Sequence, residues 1–309
     1  MKKRLKIILV LFFFLLLLTG LDKLVEFGLV RNNNIKESYA QRGNINADFL
    51  FHGPCEVIWT INPEVVENVT NKKVYNLSHV HSDFATNYLS LIQYLKQNKA
   101  PEKLLLFITP ESFDDRYNTF HPYLFSLYQD SLTNALLKEN APAYVRFHKW
   151  PLIRFTYFNR LLLFPAFQGI KHEWNEKTEP YFVNGYEPPV KMKWDNHYEE
   201  LFKLYIGGVT FKWSAKRESD FLKIVQLCAE ENIELITYES PILNSSKPGQ
   251  YNRNKMLDKI DSLTRTQNVE FWSYDTSPLS KDQSNFFSAL NLNIEPGNQF
   301  TKELATRLK

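Results

Sequence analysis

Twelve consecutive apolar residues, Ile7 to Leu18, follow a basic cap made of Lys2, Lys3, Arg4 and Lys6. A basic cap before an apolar run is the pattern of a secretory signal or a signal anchor. No small-x-small cleavage site follows, and Leu18-Thr19-Gly20-Leu21 lacks the cysteine of a lipoprotein signal. Asp22 and Lys23 end the clean run early, since a full span needs ~20 apolar residues. Leu24, Val25, Phe27, Leu29 and Val30 carry apolar character onward. The expectation is therefore a tilted single-pass anchor over residues 7–30, the alternative being a buried N-terminal helix of a cytosolic protein. Basic residues stay on the inner side. That places cap 1–6 in the cytoplasm and the main domain outside the cell membrane.

The formal net charge is +3, and the cap alone exceeds it, so the rest of the chain is close to neutral. This is far from the basic balance of a duplex nucleic-acid binder, and no nucleic-acid partner is expected. Two cysteines exclude a disulfide scaffold or a four-thiolate zinc site. The seven histidines offer only His79-x-His81 as a ligand pattern, too little for a metal. No Gly-x-Gly-x-x-Gly or Walker loop occurs, and Gly207-Gly208 is an isolated pair. Neither a cofactor nor a metal is expected. Asp114-Asp115 and Glu199-Glu200 read as solvated charges. The Asn68, Asn76 and Asn244 glycosylation patterns matter only in a eukaryotic secretory pathway, which is not expected.

Beyond the anchor, strand-like and helix-like segments alternate. Asp48 to Phe51 is a short apolar strand ending at Gly53-Pro54. Asn62-Pro63 has the form of an N-cap followed by proline at the first helical position. Lys73 to Leu77 predicts a second strand. Phe84, Tyr88, Leu91, Ile92 and Leu95 recur at helical spacing, and Leu104 to Ile108 predicts a fully buried strand. Phe221, Ile224, Val225 and Cys228 mark a helix, followed by a strand from Ile233 to Tyr238. Met256, Ile260 and Leu263 predict another helix, Val269 to Trp272 a strand, and Thr301 to Leu308 a closing helix. Such alternation implies an α/β fold with a parallel sheet flanked by helices. Ligand sites in these sheets lie at the carboxyl ends of strands. Residues 111–214 break the alternation and are rich in aromatics and proline, including Tyr144 to Phe147, Trp150 to Phe158 and Leu161 to Phe167. They form either a lid or docking insertion, or helices that cover one face of the sheet.

The segment Phe49 to Glu56, with Ile61-Asn62-Pro63 after it, resembles the first block of the SGNH (GDSL-like) hydrolase superfamily. It is most similar to the membrane-anchored envelope branch that includes alginate O-acetylation and lipoteichoic-acid D-alanylation proteins. Val74 to Ser78, Pro110 to Phe113, Asn184-Gly185-Tyr186, Ile233 to Pro241, and Phe286 to Asn293 with Gly297, Phe300 and Leu304 resemble later blocks in the same order. The resemblance covers roughly residues 45–309 and implies a flavodoxin-like three-layer domain. It also implies a binding edge at Gly53, Asn76, Ser78 and Glu111. The partners it implies are a membrane-bound O-acyltransferase or an envelope glycan.

On this alignment Cys55 occupies the nucleophile position, Asn291 the histidine position and Ser288 the aspartate position. An asparagine amide does not titrate near neutrality, so Asn291 is no general base, and no histidine follows His197. A thiol needs less activation than a hydroxyl. His79 is therefore the substitute base to examine, with His81 nearby and His52 expected to alternate away from Cys55. The plain readings are loop histidines and a small buried thiol. Cys228 sits at core spacing, and a Cys55–Cys228 bridge is permitted outside the membrane. Two expectations follow. One is a non-catalytic envelope protein that binds a glycan or an acyl-transfer partner. The other is an acyltransferase or esterase working through Cys55.

Overall fold

In the computed structural model, residues 2–114, 130–156, 162–174, 182–188 and 208–309 are described. Glu199, Glu200 and much of the expected insertion lie outside them. In chain order the regular elements are α1 (Lys2–Arg31), α2 (Lys36–Arg42), β1 (Phe49–His52), α3 (Cys55–Thr60), α4 (Pro63–Thr70), β2 (Val74–Asn76), α5 (Phe84–Leu95), β3 (Lys103–Phe107), α6 (Ser131–Asn140), α7 (Pro142–His148), α8 (Ile153–Thr156), α9 (Leu163–Trp174), α10 (Ala215–Glu230), β4 (Glu234–Tyr238), α11 (Arg253–Thr266), β5 (Glu270–Trp272) and α12 (Ile294–Arg307). The chain divides into two units. One joins Met1–Asn44 to Phe120–Pro180, and the other joins Ile45–Thr119 to Tyr181–Lys309.

The larger unit is built on a five-stranded parallel sheet in the order β2-β1-β3-β4-β5. Phe49 pairs with Val74 on one side and with Lys103 on the other, so β1 is hydrogen-bonded along both edges. Parallel sheets are covered on both faces, and the alternating side chains divide accordingly. Phe49, Phe51, Leu105, Phe107, Ile236, Tyr238 and Trp272 point into a core shared with Val57, Ile61 and Val66 from α3, α4 and their junction, and with Phe300 and Leu304 of α12. The intervening residues, Leu50, His52, Leu104, Leu106 and Thr237, are buried on the other face. There α5 packs against α10.

Local signals explain several helix starts. The Asn62 side chain accepts from Glu64 N–H with Pro63 at the first position of α4, and Asp83 caps α5 by accepting from Thr86 N–H. Ser214 caps α10 in the same way. The closing helix corrects the sequence reading, because α12 begins at Ile294 rather than Thr301. Pro296 and Gly297 read as a turn in sequence. Yet a proline in a helix's first turn loses no intrahelical hydrogen bond, since those N–H groups have no partner there. Thr301 anchors the early turns by donating to the Thr60 carbonyl at 2.9 Å. Asp114 is also corrected. It is buried, not solvated, and its carboxylate accepts Lys212 N–H at 2.9 Å.

In the smaller unit, α1 is long and apolar enough to cross a membrane. Its apolar residues from Leu5 to Leu17 are exposed. Asp22, which ends the clean apolar run, is buried against Arg154. The guanidinium of Arg154 donates to both carboxylate oxygens of Asp22, at 3.1 and 2.6 Å, and to Glu26 at 2.9 Å. Leu29, Ile35, Phe155, Leu162 and Ala166 form a small apolar core beside it.

On the edge of the sheet, Val183 to Tyr186 form a tight turn that docks onto β2, where Asn76 N–H donates to the Asn184 carbonyl at 2.9 Å. Asn184 and Gly185 both have positive φ, 47° and 81°, the requirement of a type I′ turn. A Cβ on Gly185 would also lie 2.0 Å from the Asn76 carbonyl oxygen. Gly185→Ala is therefore expected to cost about 1–3 kcal/mol, read as a lowered thermal unfolding midpoint of the purified full chain.

Candidate functional site

Strand order reverses between β1 and β3, since the chain first moves outward to β2 and then crosses back. In open α/β sheets a crevice forms outside the carboxyl ends of the strands at that switch point. A narrow, partly open cleft lies there, lined by Glu56, Phe107, Thr109, Glu111, Phe211 and Arg253 among others. Gln250, Ile242 and Leu290 complete the far wall.

Each wall has a local cause. The chain turns from β1 into α3 through Gly53, where a Cβ would stand 2.6 Å from Val57 and 2.7 Å from Phe107. That turn delivers Cys55 and Glu56 to the cleft side of α3. After β3, Thr109 opens a single tight turn, Pro110–Phe113, closed by Ser112 Oγ accepting from Thr109 N–H at 3.1 Å. Phe113 stacks flat on Trp213, with ring centroids 4.3 Å apart, which holds Glu111 in place. From the β4 side, Arg253 donates to Glu239 at 2.7 Å, to Asp275 at 2.9 Å and to Gln250 at 3.2 Å. Ser273 donates to the other Glu239 oxygen at 2.6 Å.

The electrostatics are dominated by carboxylates with unequal support. Burial pushes Glu239 up, while Arg253 and Ser273 work against that rise. Asp275 is held below the ordinary carboxylate range, because Arg253 and Lys247 outweigh its burial. Glu56 has no cationic partner among the described residues. Burial first, then the nearby charge of Glu111, raises it to about 7. Cys55 donates its thiol proton to Glu56 Oε2 at 3.3 Å. Burial, followed by the negative charges of Glu56 and Glu111, pushes that thiol well above its usual value. The Tyr238 hydroxyl is buried without a hydrogen-bond partner among the described residues, and the nearby Tyr274 and Glu56 add to the burial that raises it.

The other sequence-derived candidates are distributed unevenly. His79 lies at the carboxyl end of β2, and its N–H donates to the Gly53 carbonyl at 3.0 Å. Its ring turns away from the cleft, with Nε2 2.7 Å from Ser90 Oγ on α5 and the ring edge-on to His52 at 5.6 Å. His81 is exposed at a positive φ of 54°. Asn76 uses its amide to donate to the Val57 and Ile61 carbonyls, at 2.8 and 3.1 Å, and so closes the end of α3. Ser78 is buried beside it. Ser288 and Asn291 pair with each other. The Ser288 hydroxyl accepts from Asn291 N–H at 3.1 Å and from its side-chain amide at 2.7 Å. This turn supplies Leu290 to the cleft. Cys55 and Cys228 are both free thiols, and Cys228 is buried in α10.

Of the candidates, Glu111 lines the cleft, while Gly53 and Cys55 adjoin it. Glu56, Arg253, Gln250 and Phe211 were not singled out from the sequence. Glu56 and Glu111 do carry one legible signal, because each lies in the first residues after a strand, β1 ending at His52 and β3 at Phe107. No protein-family model matches this chain, and no curated protein matches it.

As pH rises from the ordinary glutamate value of 4.5 toward about 7, Glu56 in the unfolded chain ionises while the folded chain keeps its proton. Stability attributable to this group is complete at low pH and is lost as pH rises through that window, by about 3 kcal/mol. Glu56→Gln should flatten that slope and unfold at a higher temperature than the parent chain at pH 8. Thermal unfolding between pH 4 and 8 reads both.

Proposed function

We propose that this chain is a single-pass envelope protein that binds a glycan or a component of an O-acyl-transfer system without carrying the acyl group itself. The anchor would be α1, with its basic end in the cytoplasm and the α/β unit outside. The ordered likeness of its sequence blocks to SGNH-type envelope proteins supports the class. A cleft that combines Phe211 and Leu290 with Glu111, Gln250 and Thr109 suits a polyhydroxyl ligand, which needs apolar faces and a few fixed hydrogen-bonding groups.

The observation that carries the non-catalytic reading is the partner of Cys55. A reactive thiol needs a cation or a base beside it. This thiol faces a carboxylate, and both neighbouring acids disfavour the thiolate. The histidine closest in sequence logic, His79, is turned onto Ser90. The position likened to a catalytic histidine is Asn291, tied into its own turn with Ser288. The competing reading, an acyltransferase or esterase using Cys55, requires all of these to rearrange.

Intact-mass spectrometry after incubation with 4-nitrophenyl acetate separates the two. The expected spectrum shows no acetyl adduct on Cys55, and a Cys55→Ala chain should still complement a deletion strain. A stable adduct that vanishes in Cys55→Ala would overturn the non-catalytic reading. Phe211→Ala is expected to weaken binding of purified host envelope polysaccharide at least tenfold, measured by calorimetric titration.

A further inference from the structure

Helix α9 is apolar on two sides. Its inner side meets α1 at very short range, with Gly28 against Ala166 and Gly169 against both Gly28 and Asn32. A Cβ on either glycine would collide with backbone of the other helix. Its outer side carries Leu163, Phe164 and Phe167, which fall on one arc roughly 100° wide and are 41%, 64% and 55% exposed. A helix with a buried face normally turns polar residues outward, and this one does not.

The direction of α9 is fixed by its contacts. Near its first turn, Asn32 donates to the Pro165 carbonyl at 2.8 Å. Near its last, His172 Nδ1 accepts Asn33 N–H at 3.1 Å, and Glu173 pairs with Arg31 at 3.1 Å. The contacts advance together along both helices, from Gly28 with Ala166 to Arg31 with Glu173 and Asn33 with His172, so α9 packs alongside the last turns of α1. Its exposed arc stands beside the turns of α1 that carry exposed Leu24 and Phe27.

Its height is fixed as well. Exposed apolar residues of α1 continue past Leu21 to Leu24 and Phe27, beyond the buried pair of Asp22 with Arg154. α9 meets α1 at Gly28, directly after the last of them. Trp150, beside the Arg154 turn, is 59% exposed. Phe27 and Phe167 each lie beneath a basic side chain four residues on, Arg31 at 5.3 Å and Lys171 at 4.7 Å. Aromatic rings with basic heads reaching past them are the usual furnishing of a membrane–water interface.

We infer that α9 is an interfacial helix, with Leu163, Phe164 and Phe167 inserted into the same leaflet that α1 leaves. Continuity with the exposed apolar surface of α1 names lipid as the occupant. The inference rests on α1 being a span, as proposed above. The test uses the full chain with both native cysteines changed to alanine, reconstituted into vesicles of phosphatidylcholine and phosphatidylglycerol. Single spin labels are placed at Leu11, Phe164, Phe167 and Glu173. Labels at Phe164 and Phe167 should be relaxed severalfold more by oxygen than by a water-soluble nickel chelate, with Glu173 showing the reverse. If Leu11 reports lipid while Phe164 and Phe167 report water, the interfacial role is overturned and the span stands. If labels at Phe164 and Phe167 are immobilised and shielded from both relaxants, a protein partner covers this face and lipid does not. If Leu11 itself reports water, the anchor reading fails and the inference falls with it.

Discussion

The cleft depends on one steric constraint. The chain leaves β1 between two neighbouring strands and turns at once into α3, and at Gly53 there is room for hydrogen only. A larger residue would displace either Val57, in the first turn of α3, or Phe107, the last residue of β3. Because β1 and β3 flank the reversal of strand order, that single turn sets the separation between Glu56 and Glu111. The charge properties of both acids, and of the thiol beside them, follow from it.

The cleft has two electrostatic halves. On the β4 side, Glu239 and Asp275 share Arg253, an arrangement that keeps buried charges paired. On the β1 side, Glu56 has no cationic partner among the described residues, and burial first, then the charge of Glu111, raises it to about 7. One wall is thus a paired ion network, while the other holds a buried acid without such a counter-charge among the described residues. In the second environment burial and the neighbouring acids disfavour the thiolate of Cys55. The His79 ring, held on Ser90, does not offset them.

Much of the sheet was legible from the sequence. β3 and β4 announce themselves as apolar runs, and the cap at Asn62 was read from its Asn-Pro pair, whereas the equally local caps at Asp83 and Ser214 were not. The start of α12 was not legible, because Pro296-Gly297 signals a turn unless its place in a first helical turn is known. Residues 111–214 read as one irregular block, whereas 130–156 and 162–174 group with the N-terminal helix and 182–188 and 208–214 with the sheet. Only tertiary pairing, such as Asp22 with Arg154, makes that division. The cleft was half legible: Glu111 follows a strand end, but its meeting with Arg253 depends on strand order, which no local pattern encodes. The readings of Ser288 and Asn291 came from likeness to a family, and their mutual hydrogen bonds give them a local structural job.

A parallel sheet of this kind ends in edge strands, and an open edge invites pairing with other chains. At β2 the Asn184-Gly185 turn lays a carbonyl across the outward Asn76 N–H. This short turn thereby acts as a guard against strand-to-strand self-association. A capped edge keeps close encounters between copies from becoming polymerisation.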